Sequence, residues 1–342
     1  MNQLLEINDL HVNFHTETGV VRALRGVNLS VDKGERVGLV GETGSGKSVT
    51  ARSVLRIIQS PPGQIESGEI LFKGQDLLTA SKGEIRGIRG SEIAMLFQDP
   101  TASLDPVYSI RNQMVEVIRS NRDLTKSEAI DLSIELLEEV DMPRPEGVLT
   151  SYPHELSGGM KQRVMIAMTL ACEPDLLIAD EPTTALDVTV QKKVLKAFER
   201  VVSDRNIGVL WITHNLGVVA QFCNRVGVMY AGELAEYGNI HQIFKHPTHP
   251  YTRELLQTIP NLERSRARLN VIEGSVPNMQ NPPSGCVFHP RCPDAEERCR
   301  TTRPEPVTGR DSHQASCLVH DVDEEDVSVS RDDLDGRGDQ YE

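Results

Sequence analysis

A glycine-rich segment directly after a short apolar run restricts the fold of this chain more than any other feature. The run is Val37–Val40, and the segment fits the pattern G-x-x-x-x-G-K-[ST] with Gly41, Glu42, Thr43, Gly44, Ser45, Gly46, Lys47 and Ser48. In this pattern a strand leads into the loop and a helix leaves it, and the glycines let backbone N–H groups turn inward toward phosphate oxygens. The sequence therefore predicts a phosphate-binding loop followed by a helix over Val49–Ile58.

Two side chains of this loop add chemistry to that of the backbone. Lys47 is expected to reach the β- and γ-phosphates of a bound nucleotide, and Ser48 to offer its hydroxyl to Mg²⁺. The alternative is a glycine-rich turn that fits the pattern by accident. The order of apolar run, loop and helical segment favours the phosphate-binding interpretation.

Continuous apolar runs elsewhere predict the sheet to which this loop is attached. Runs without alternation are typical of parallel strands covered on both faces. They occur at Val37–Val40, Ile93–Phe97, Leu176–Ala179 and Val209–Thr213, with Val226–Tyr230 as a further candidate. Before the loop, shorter apolar runs bounded by glycines predict antiparallel strands.

The stretch between Gln98 and Leu156 is predicted to be helical. Thr125 and Glu128 have the spacing of a capping box, and an apolar stripe follows at Ile130, Ile134 and Leu137. This stretch separates two of the predicted strands and is therefore expected to form a helical subdomain.

The apolar run Leu176–Ala179 ends in two carboxylates, Asp180 and Glu181. Enzymes with a phosphate-binding loop use an acidic residue at a strand end to hold Mg²⁺, so Asp180 is expected to contact the ion through water. Glu181 is then placed to polarise the attacking water. A pair of solvated charges would explain these residues if they stood alone, but the loop in the same chain favours nucleotide hydrolysis.

A second run of small residues precedes a predicted helix over Lys161–Ala171. It contains Ser157, Gly158 and Gly159, and small residues at a helix start expose N–H groups and the positive end of the helix dipole. A second phosphate site is redundant in one chain unless it serves a nucleotide held by another molecule. The segment LSGGMKQ resembles the signature sequence of ATP-binding-cassette (ABC) ATPases.

This resemblance implies roles for four further residues. Gln98 resembles the glutamine that senses Mg²⁺ and the transporter, Asp187 lies in a segment similar to the D-loop, and His214 resembles the histidine that contacts the γ-phosphate. Phe14 stands where the family places an aromatic residue that stacks on adenine, and packing in the core is an equally open role for it.

The same resemblance implies the fold class and the mechanism. The fold would be α/β, with a P-loop ABC ATPase domain made of a mixed sheet, an antiparallel β subdomain and a helical subdomain. Two ATP molecules would lie between the P-loop of one subunit and Ser157–Gly159 of the other. Hydrolysis by water that Glu181 activates would then separate the subunits.

Segments in the last hundred residues, together with one directly after Gln98, indicate a branch of this family. The segments HPYTRELL from His249, GCVFHPRCP from Gly285, and DPTASLDP from Asp99 closely resemble oligopeptide and dipeptide importer ATPases, a group that includes nickel importers. The resemblance covers about residues 3–318. It implies three kinds of partner: a homologous second ATPase subunit that differs from this one, two transmembrane permeases and an extracytoplasmic substrate-binding protein.

Four of the six cysteines lie in this last region, at Cys286, Cys292, Cys299 and Cys317. Cys172 and Cys223 lie in the ATPase body, where buried packing is expected. The spacing is not C-x-x-C, so a zinc ribbon fits poorly. Four thiolates can hold an iron–sulfur cluster, and the resemblance implies a 4Fe-4S cluster; zinc and plain structural thiols stay open.

Composition and charge restrict the function and the location that are possible for this chain. The chain has 342 residues and a net charge of −14, and ten acidic but only two basic side chains lie in residues 321–342. An acidic body argues against a nucleic-acid partner. No apolar stretch is long enough to span a bilayer and the first residues do not resemble a signal peptide, so the chain is expected to stay in the cytoplasm. The resemblance to importer ATPases implies a peripheral subunit at the cytoplasmic face of the membrane.

Three segments and three function classes follow. The expected segments are an ATPase domain over 1–240 with a helical subdomain over about 99–165, an extension over 241–320 and a disordered acidic tail over 321–342. The main function class is peptide import, with nickel or another small solute as the alternative cargo. Soluble ABC ATPases of repair or translation carry long insertions or two cassettes, and a non-hydrolysing regulator would be expected to lack Glu181 or His214.

Overall fold

The computed structural model describes residues 3–183, 188–259 and 272–322. The strands of these residues are β1 (Gln3–Thr16), β2 (Gly19–Asp32), β3 (Arg36–Val40), β4 (Gly63–Phe72), β5 (Gln75–Asp76), β6 (Ile93–Leu96), β7 (Leu176–Asp180), β8 (Gly208–Ile212), β9 (Arg225–Tyr230), β10 (Glu233–Asn239), β11 (Val307–Thr308) and β12 (Gln314–Ala315).

Helices connect several of the strands, and a series of helices lies between β6 and β7. The helices of the described residues are α1 (Lys47–Val54), α2 (Lys82–Ile88), α3 (Pro100–Ser103), α4 (Ile110–Asn121), α5 (Lys126–Glu139), α6 (Pro145–Thr150), α7 (Gly158–Leu170), α8 (Val188–Asp204), α9 (Leu216–Phe222), α10 (Ile240–Lys245), α11 (Pro250–Gln257) and α12 (Glu297–Thr301).

Two sheets organise these elements. The first is antiparallel with the order β2-β1-β4-β5, and the second has eight strands with the order β11-β12-β10-β9-β3-β8-β7-β6. Strands β9, β3, β8, β7 and β6 of the second sheet run parallel. Strands β7 and β8 are buried along their whole length, as expected for apolar runs covered on both faces. The predicted mixed sheet and antiparallel subdomain are confirmed.

Aromatic packing fastens helices to the parallel sheet. Trp211 of β8 is 1% exposed, and its ring lies 5.4 Å from that of Phe198 on α8 and 4.7 Å from that of Phe222 on α9. Burial of such large rings contributes several kcal/mol to the stability of the core. This packing holds α8 and α9 against β8, the strand that lies between β3 and β7 in the sheet.

The predicted helical subdomain is present as α3 to α7. The capping box at the start of α5 is formed, because the Thr125 hydroxyl accepts from the Glu128 N–H at 3.3 Å and the Glu128 carboxylate accepts from the Thr125 N–H at 2.7 Å. The apolar stripe is rotated from its predicted position: Leu137 is buried, whereas Ile130 and Ile134 are only half-buried.

Two local predictions differ from the structure. The helix expected over Val49–Ile58 ends at Val54, and Arg56 adopts φ 50°, a left-handed conformation that stops a helix. The several short strands expected before the P-loop are two long ones, β1 and β2, because bulges absorb the irregular spacing of their apolar residues.

The residues after β10 are packed onto the cassette. Strand β12 pairs with β10 and so extends the eight-stranded sheet. The carboxylate of Glu236 on β10 is 1% exposed; it accepts the backbone N–H groups of Thr248 and His249 at 2.7 and 2.9 Å, and it lies 2.8 Å from Nε2 of His313. One buried acid of the cassette therefore fixes two separate parts of the extension.

Candidate functional site

The P-loop connects β3 to α1 and has the backbone geometry that its glycines predict. Gly41 has φ 149° and a Cβ there would collide with the carbonyl oxygen of Met229, while Gly46 has φ 108° and a Cβ would lie 2.7 Å from Leu24. Only glycine satisfies both the conformation and the space at these two positions. The loop therefore starts and ends at points where the chain needs glycine.

Lys47 lies inside this loop. Its ammonium group donates to the carbonyl oxygens of Gly41 at 2.8 Å and Glu42 at 2.9 Å, and the residue is 6% exposed. Burial lowers the pKa of Lys47, and the nearby carboxylates of Glu181 and Asp180 oppose that shift. The lysine is therefore a buried donor at the centre of the loop, where phosphate oxygens could replace the carbonyl groups as its partners.

Ser48 and Asp180 are in direct contact. The Ser48 hydroxyl donates to Oδ1 of Asp180 at 2.9 Å, and Asp180 is 2% exposed at the last position of β7. Burial raises the pKa of Asp180, and the hydrogen bond from Ser48 acts against it. A hydroxyl and a carboxylate held together in this way are the oxygen ligands that Mg²⁺ prefers.

Glu181 is flanked by the two predicted sensor residues. Its Oε1 lies 3.1 Å from Nδ1 of His214, and its Oε2 accepts from the Gln98 amide at 3.4 Å. Glu181 has φ 49°, which turns the chain sharply at the end of β7. The structure thus brings together Gln98, Asp180, Glu181 and His214 from the ends of three parallel strands.

The signature residues begin α7 and face away from its core. Ser157 caps the helix by accepting the N–H of Met160 at 3.3 Å, and both Ser157 and Gly158 are exposed. Gly159 is half-buried, and a Cβ on Gly158 would contact nothing within 4 Å. This exposed helix start is open to a second molecule.

Two further residues, Phe14 and Asp187, are predicted to contact the nucleotide. Phe14 is half-buried on β1 opposite Val21 and Gly63, and it packs against the core of the N-terminal sheet. Its stacking on adenine remains a prediction. Asp187 lies outside the described residues.

Two contacts of the P-loop come from residues that sequence analysis did not assign to it. The Tyr251 hydroxyl accepts from the Glu42 N–H at 3.0 Å, and the Arg291 guanidinium donates to the Glu42 carboxylate at 2.7 and 3.2 Å. Both residues lie in the C-terminal extension, more than 200 positions away, and no local sequence pattern marks such a contact.

The four C-terminal cysteines lie in one neighbourhood. The Cys286 N–H donates to the Cys299 carbonyl at 2.9 Å, and the Cys317 sulfur accepts from the N–H groups of Val319 and His320 at 3.4 and 3.5 Å. Burial raises the pKa of Cys286 to about 11, and the nearby Cys299 and Cys317 act in the same direction.

Neither a cation site nor a membrane helix is found in the described ranges. Within residues 3–183, 188–259 and 272–322, no three His, Cys, Asp or Glu side chains are arranged to hold a metal ion. In that same part of the chain, no helix combines the length and the apolar character needed to cross a bilayer. Of the other two cysteines, Cys223 is buried as expected and Cys172 is half-buried.

Comparison with known proteins matches both parts of the chain to family models. Residues 24–184 match the ABC transporter model, and residues 235–299 match the model of the oligopeptide/dipeptide transporter C-terminal region. Among solved structures, a dimeric bacterial ABC transporter cassette aligns with TM-score 0.62 and 25% identity over 69% of this chain and 98% of its own. The cbiO1 protein of Clostridium perfringens aligns with TM-score 0.60 and 29% identity over 71% and 91%.

Curated relatives cover nearly the whole chain. The probable peptide ABC transporter ATP-binding protein y4tR of Sinorhizobium fredii is 46% identical over 92% of this chain and 94% of its own length. The dipeptide transport ATP-binding protein DppD of Bacillus subtilis is 43% identical over 97% and 99%, and the oligopeptide transport protein OppD of the same organism is 48% identical over 84% and 81%. The chain therefore belongs to the family of ABC transporter ATP-binding proteins, in the branch with the oligopeptide/dipeptide transporter C-terminal region.

Proposed function

We propose that this chain is the subunit whose ATP hydrolysis energises the import of dipeptides or oligopeptides. The match of residues 235–299 to the oligopeptide/dipeptide transporter C-terminal region carries this proposal, because it distinguishes this branch from other cassettes. The names of the relatives from Bacillus subtilis and Sinorhizobium fredii support the same substrate class.

The nucleotide would bind along the P-loop at residues Gly41, Glu42, Thr43, Gly44, Ser45, Gly46, Lys47 and Ser48. Lys47 is already a buried donor there, and phosphate oxygens would replace the carbonyl groups of Gly41 and Glu42 as its partners. Phe14 would contribute by stacking on adenine. Ser48, Asp180 and Gln98 would hold Mg²⁺, which when bound neutralises charge on the β- and γ-phosphate oxygens.

Glu181 would orient and polarise the attacking water. Its carboxylate lies between His214 and Gln98, so both oxygens have a partner that can fix their direction. His214, 57% exposed, is free to turn toward the γ-phosphate when nucleotide binds. A general base held by two neighbours loses little orientational freedom in the reaction.

A homologous second ATPase subunit would complete each site. Ser157, Gly158 and Gly159 at the exposed start of α7 would contact the nucleotide on the partner's P-loop, with Asp187 at the same interface, and ATP would hold the two subunits together. Other cassettes of this fold have been solved as dimers. The proposal includes that this partner subunit is a homologue of the chain and not a second copy of it.

Two permeases and an extracytoplasmic substrate-binding protein would complete the importer, with this chain on the cytoplasmic face of the membrane. Exposed apolar residues close to Gln98 in the sequence support a docking surface for the permeases. Phe97 is 40% exposed, Val107 74% and Tyr108 54%, and such large exposed apolar side chains are typical of interaction sites. Phe97 directly precedes Gln98, the residue expected to report on the transporter.

The division into parts is also a proposal. It comprises a cassette over 1–240 with a helical subdomain over about 99–165, an extension over 241–320 and an acidic tail over 321–342. The pairing of β12 with β10 supports an extension that folds on the cassette and not as an independent unit.

We further propose a 4Fe-4S cluster on Cys286, Cys292, Cys299 and Cys317, with zinc as the alternative. The donor set has the chemistry that such a group needs, because the four cysteines are free and the Cys317 sulfur accepts two backbone N–H groups, which stabilise a thiolate. Within the described ranges these thiols are not arranged around a metal position, so the cluster would require them to move closer together. When bound, the cluster would cross-link the extension. Its place in the fold suggests a structural role.

Co-purification tests the transporter assignment. The tagged full-length chain, extracted from native membranes in mild detergent, should carry permeases and a second ATPase, and its ATP turnover should rise when peptide-loaded binding protein is added. A chain that co-purifies without permeases would contradict the proposal. Stimulation by Ni²⁺ and not by peptide would assign the machinery to a different cargo.

A further inference from the structure

The P-loop of this chain carries an acidic side chain at a position where negative charge is unfavourable for its function. Glu42 follows the first glycine of the loop, and its carbonyl oxygen accepts from Lys47 at 2.9 Å. A carboxylate on the loop that holds the phosphates would repel them, because all carry negative charge. ATP binding therefore requires that the charge of Glu42 be compensated.

Arg291 provides that compensation in full. Its side chain is 4% exposed, and it forms a two-pronged ion pair with the Glu42 carboxylate at 2.7 and 3.2 Å. Its remaining donors reach the carbonyls of Glu273 at 2.8 Å and Ile272 at 3.2 Å and the hydroxyl of Tyr230 at 3.3 Å. Every nitrogen of the guanidinium group thus has a partner, which fixes its position.

The positive charge of this arginine is permanent, because a guanidinium group keeps its proton in proteins. The Tyr251 hydroxyl meanwhile accepts the backbone N–H of Glu42 at 3.0 Å. Side chain and main chain of one P-loop residue are therefore both held by the C-terminal extension.

The position of Arg291 depends on the cysteine segment. The residue directly after it is Cys292, and the Arg291 N–H donates to the carbonyl of Phe288 at 2.9 Å within the turn that starts at Cys286. The ring of Phe288 is 1% exposed and lies 5.1 Å from that of Tyr230. A rearrangement of this turn would move Arg291 away from Glu42.

We propose that Arg291 is a positioning residue for ATP, which neutralises Glu42 in the P-loop and makes nucleotide affinity depend on the integrity of the cysteine segment. The extension is then more than a structural appendage of the cassette, since its state is transmitted to the nucleotide site through one ion pair. The inference rests on the proposed role of the P-loop in ATP binding.

Equilibrium binding of a non-hydrolysable fluorescent ATP analogue to the full-length chain tests this. Arg291→Met should weaken binding about tenfold, since one uncompensated charge then lies near several phosphate charges. Arg253→Met is the matched control: it removes an arginine of the same extension whose contacts are with Pro247 and Asp294, and affinity should stay within about twofold. Equal affinity of Arg291→Met and wild type would overturn the proposal.

Two variants that remove the charge of Glu42 distinguish the loss of charge compensation from general damage to the fold. Glu42→Gln in the Arg291→Met chain should restore affinity to near the wild-type value, because the repelling charge is gone. Glu42→Gln alone should bind the analogue more tightly than wild type, because the positive charge of Arg291 is then no longer neutralised, and this result does not depend on whether Arg291→Met folds. Equal or weaker binding by Glu42→Gln, or no restoration in a folded double variant, would overturn the charge argument.

Cys292→Ser tests the link between the cysteine segment and nucleotide affinity. Cys292→Ser should weaken binding in the wild-type background and add nothing in the Arg291→Met background, since both act through one ion pair. Additive losses would overturn the link. A wild-type chain that binds the analogue but supports no peptide transport would contradict only the proposed function. Equal affinities across these variants would contradict only the role of Arg291.

Discussion

The Ser48 hydroxyl lies 2.9 Å from the carboxylate of Asp180, although 132 positions separate the two residues in the chain. The contact exists because β3 and β7 are parallel strands of one sheet, so the loop after one and the acid ending the other meet at the same edge. Loss of either partner is expected to affect the same step, and the following variants test the machinery around this pair.

Lys47→Ala should abolish ATP turnover, with a loss of at least about 100-fold, and weaken nucleotide binding. The ammonium group is a buried donor within the loop, and alanine offers no replacement for it. Steady-state phosphate release and nucleotide titration on the same preparation measure both effects. Full turnover in the variant would remove the P-loop from the mechanism.

Glu181→Gln should retain ATP binding and lower turnover by about a hundredfold or more, because an amide cannot polarise water as a carboxylate does. ATP should then trap a dimer with the natural partner subunit, detectable by size-exclusion chromatography with light scattering. Glu173→Gln changes an exposed acid outside the site and serves as the control. A variant that remains monomeric with ATP and partner present would contradict the sandwich arrangement.

Ser157→Arg should stop hydrolysis and spare nucleotide binding by its own P-loop, because the signature acts on the nucleotide of the partner. Ser157 is exposed at the start of α7, so a larger side chain there need not disturb the core. Turnover and binding are measured separately in the presence of the partner subunit. Parallel loss of both in the isolated chain, with a lower melting temperature, would indicate a folding defect.

Anaerobically purified protein should contain iron and sulfide and absorb broadly in the visible range. Serine at position 286, 292, 299 or 317 should abolish that absorption, whereas Cys172→Ser and Cys223→Ser should leave it unchanged, since those residues lie in the ATPase body. Stoichiometric zinc without iron, found under strict exclusion of oxygen, would replace the cluster by a zinc site.

Acid should destabilise the attachment of the extension through His249. Burial lowers the pKa of His249 to about 4, partly opposed by Glu236, against about 6.5 for a free histidine. The unfolded chain therefore binds the extra proton between these values, and stability falls as the pH drops from about 6.5 to 4, by up to about 3 kcal/mol. In the folded state Nδ1 of His249 accepts the Tyr251 N–H at 3.0 Å, a role that requires the unprotonated nitrogen.

Chemical denaturation of wild type and His249→Asn at pH 7 and pH 5 measures this effect. Asparagine can cap α11 in the same way but does not titrate, so the variant should lose less stability between the two pH values. Equal losses in both proteins would assign the acid sensitivity to other groups.

Much of the nucleotide site could be predicted from local sequence patterns. The P-loop, Asp180 and Glu181 each stand next to a continuous apolar run, and such runs form parallel strands whose carboxyl ends share one edge. The contact between Arg291 and Glu42 could not be predicted in this way. It depends on how the extension folds back over the cassette, and the only sequence signal, an arginine beside a cysteine, does not indicate a partner. The end of the first helix was missed for a smaller reason, because the left-handed conformation of Arg56 is not encoded by a glycine.

ATP-driven uptake of a labelled dipeptide or oligopeptide into proteoliposomes shows whether this chain energises peptide import. The vesicles contain the co-purified complex in the orientation that places this chain on the ATP side, with binding protein and labelled peptide on the opposite side. Peptide accumulation that requires ATP and is lost when this chain carries Glu181→Gln is the predicted result. ATP hydrolysis that proceeds at its full rate without any peptide crossing the membrane would contradict the proposed function.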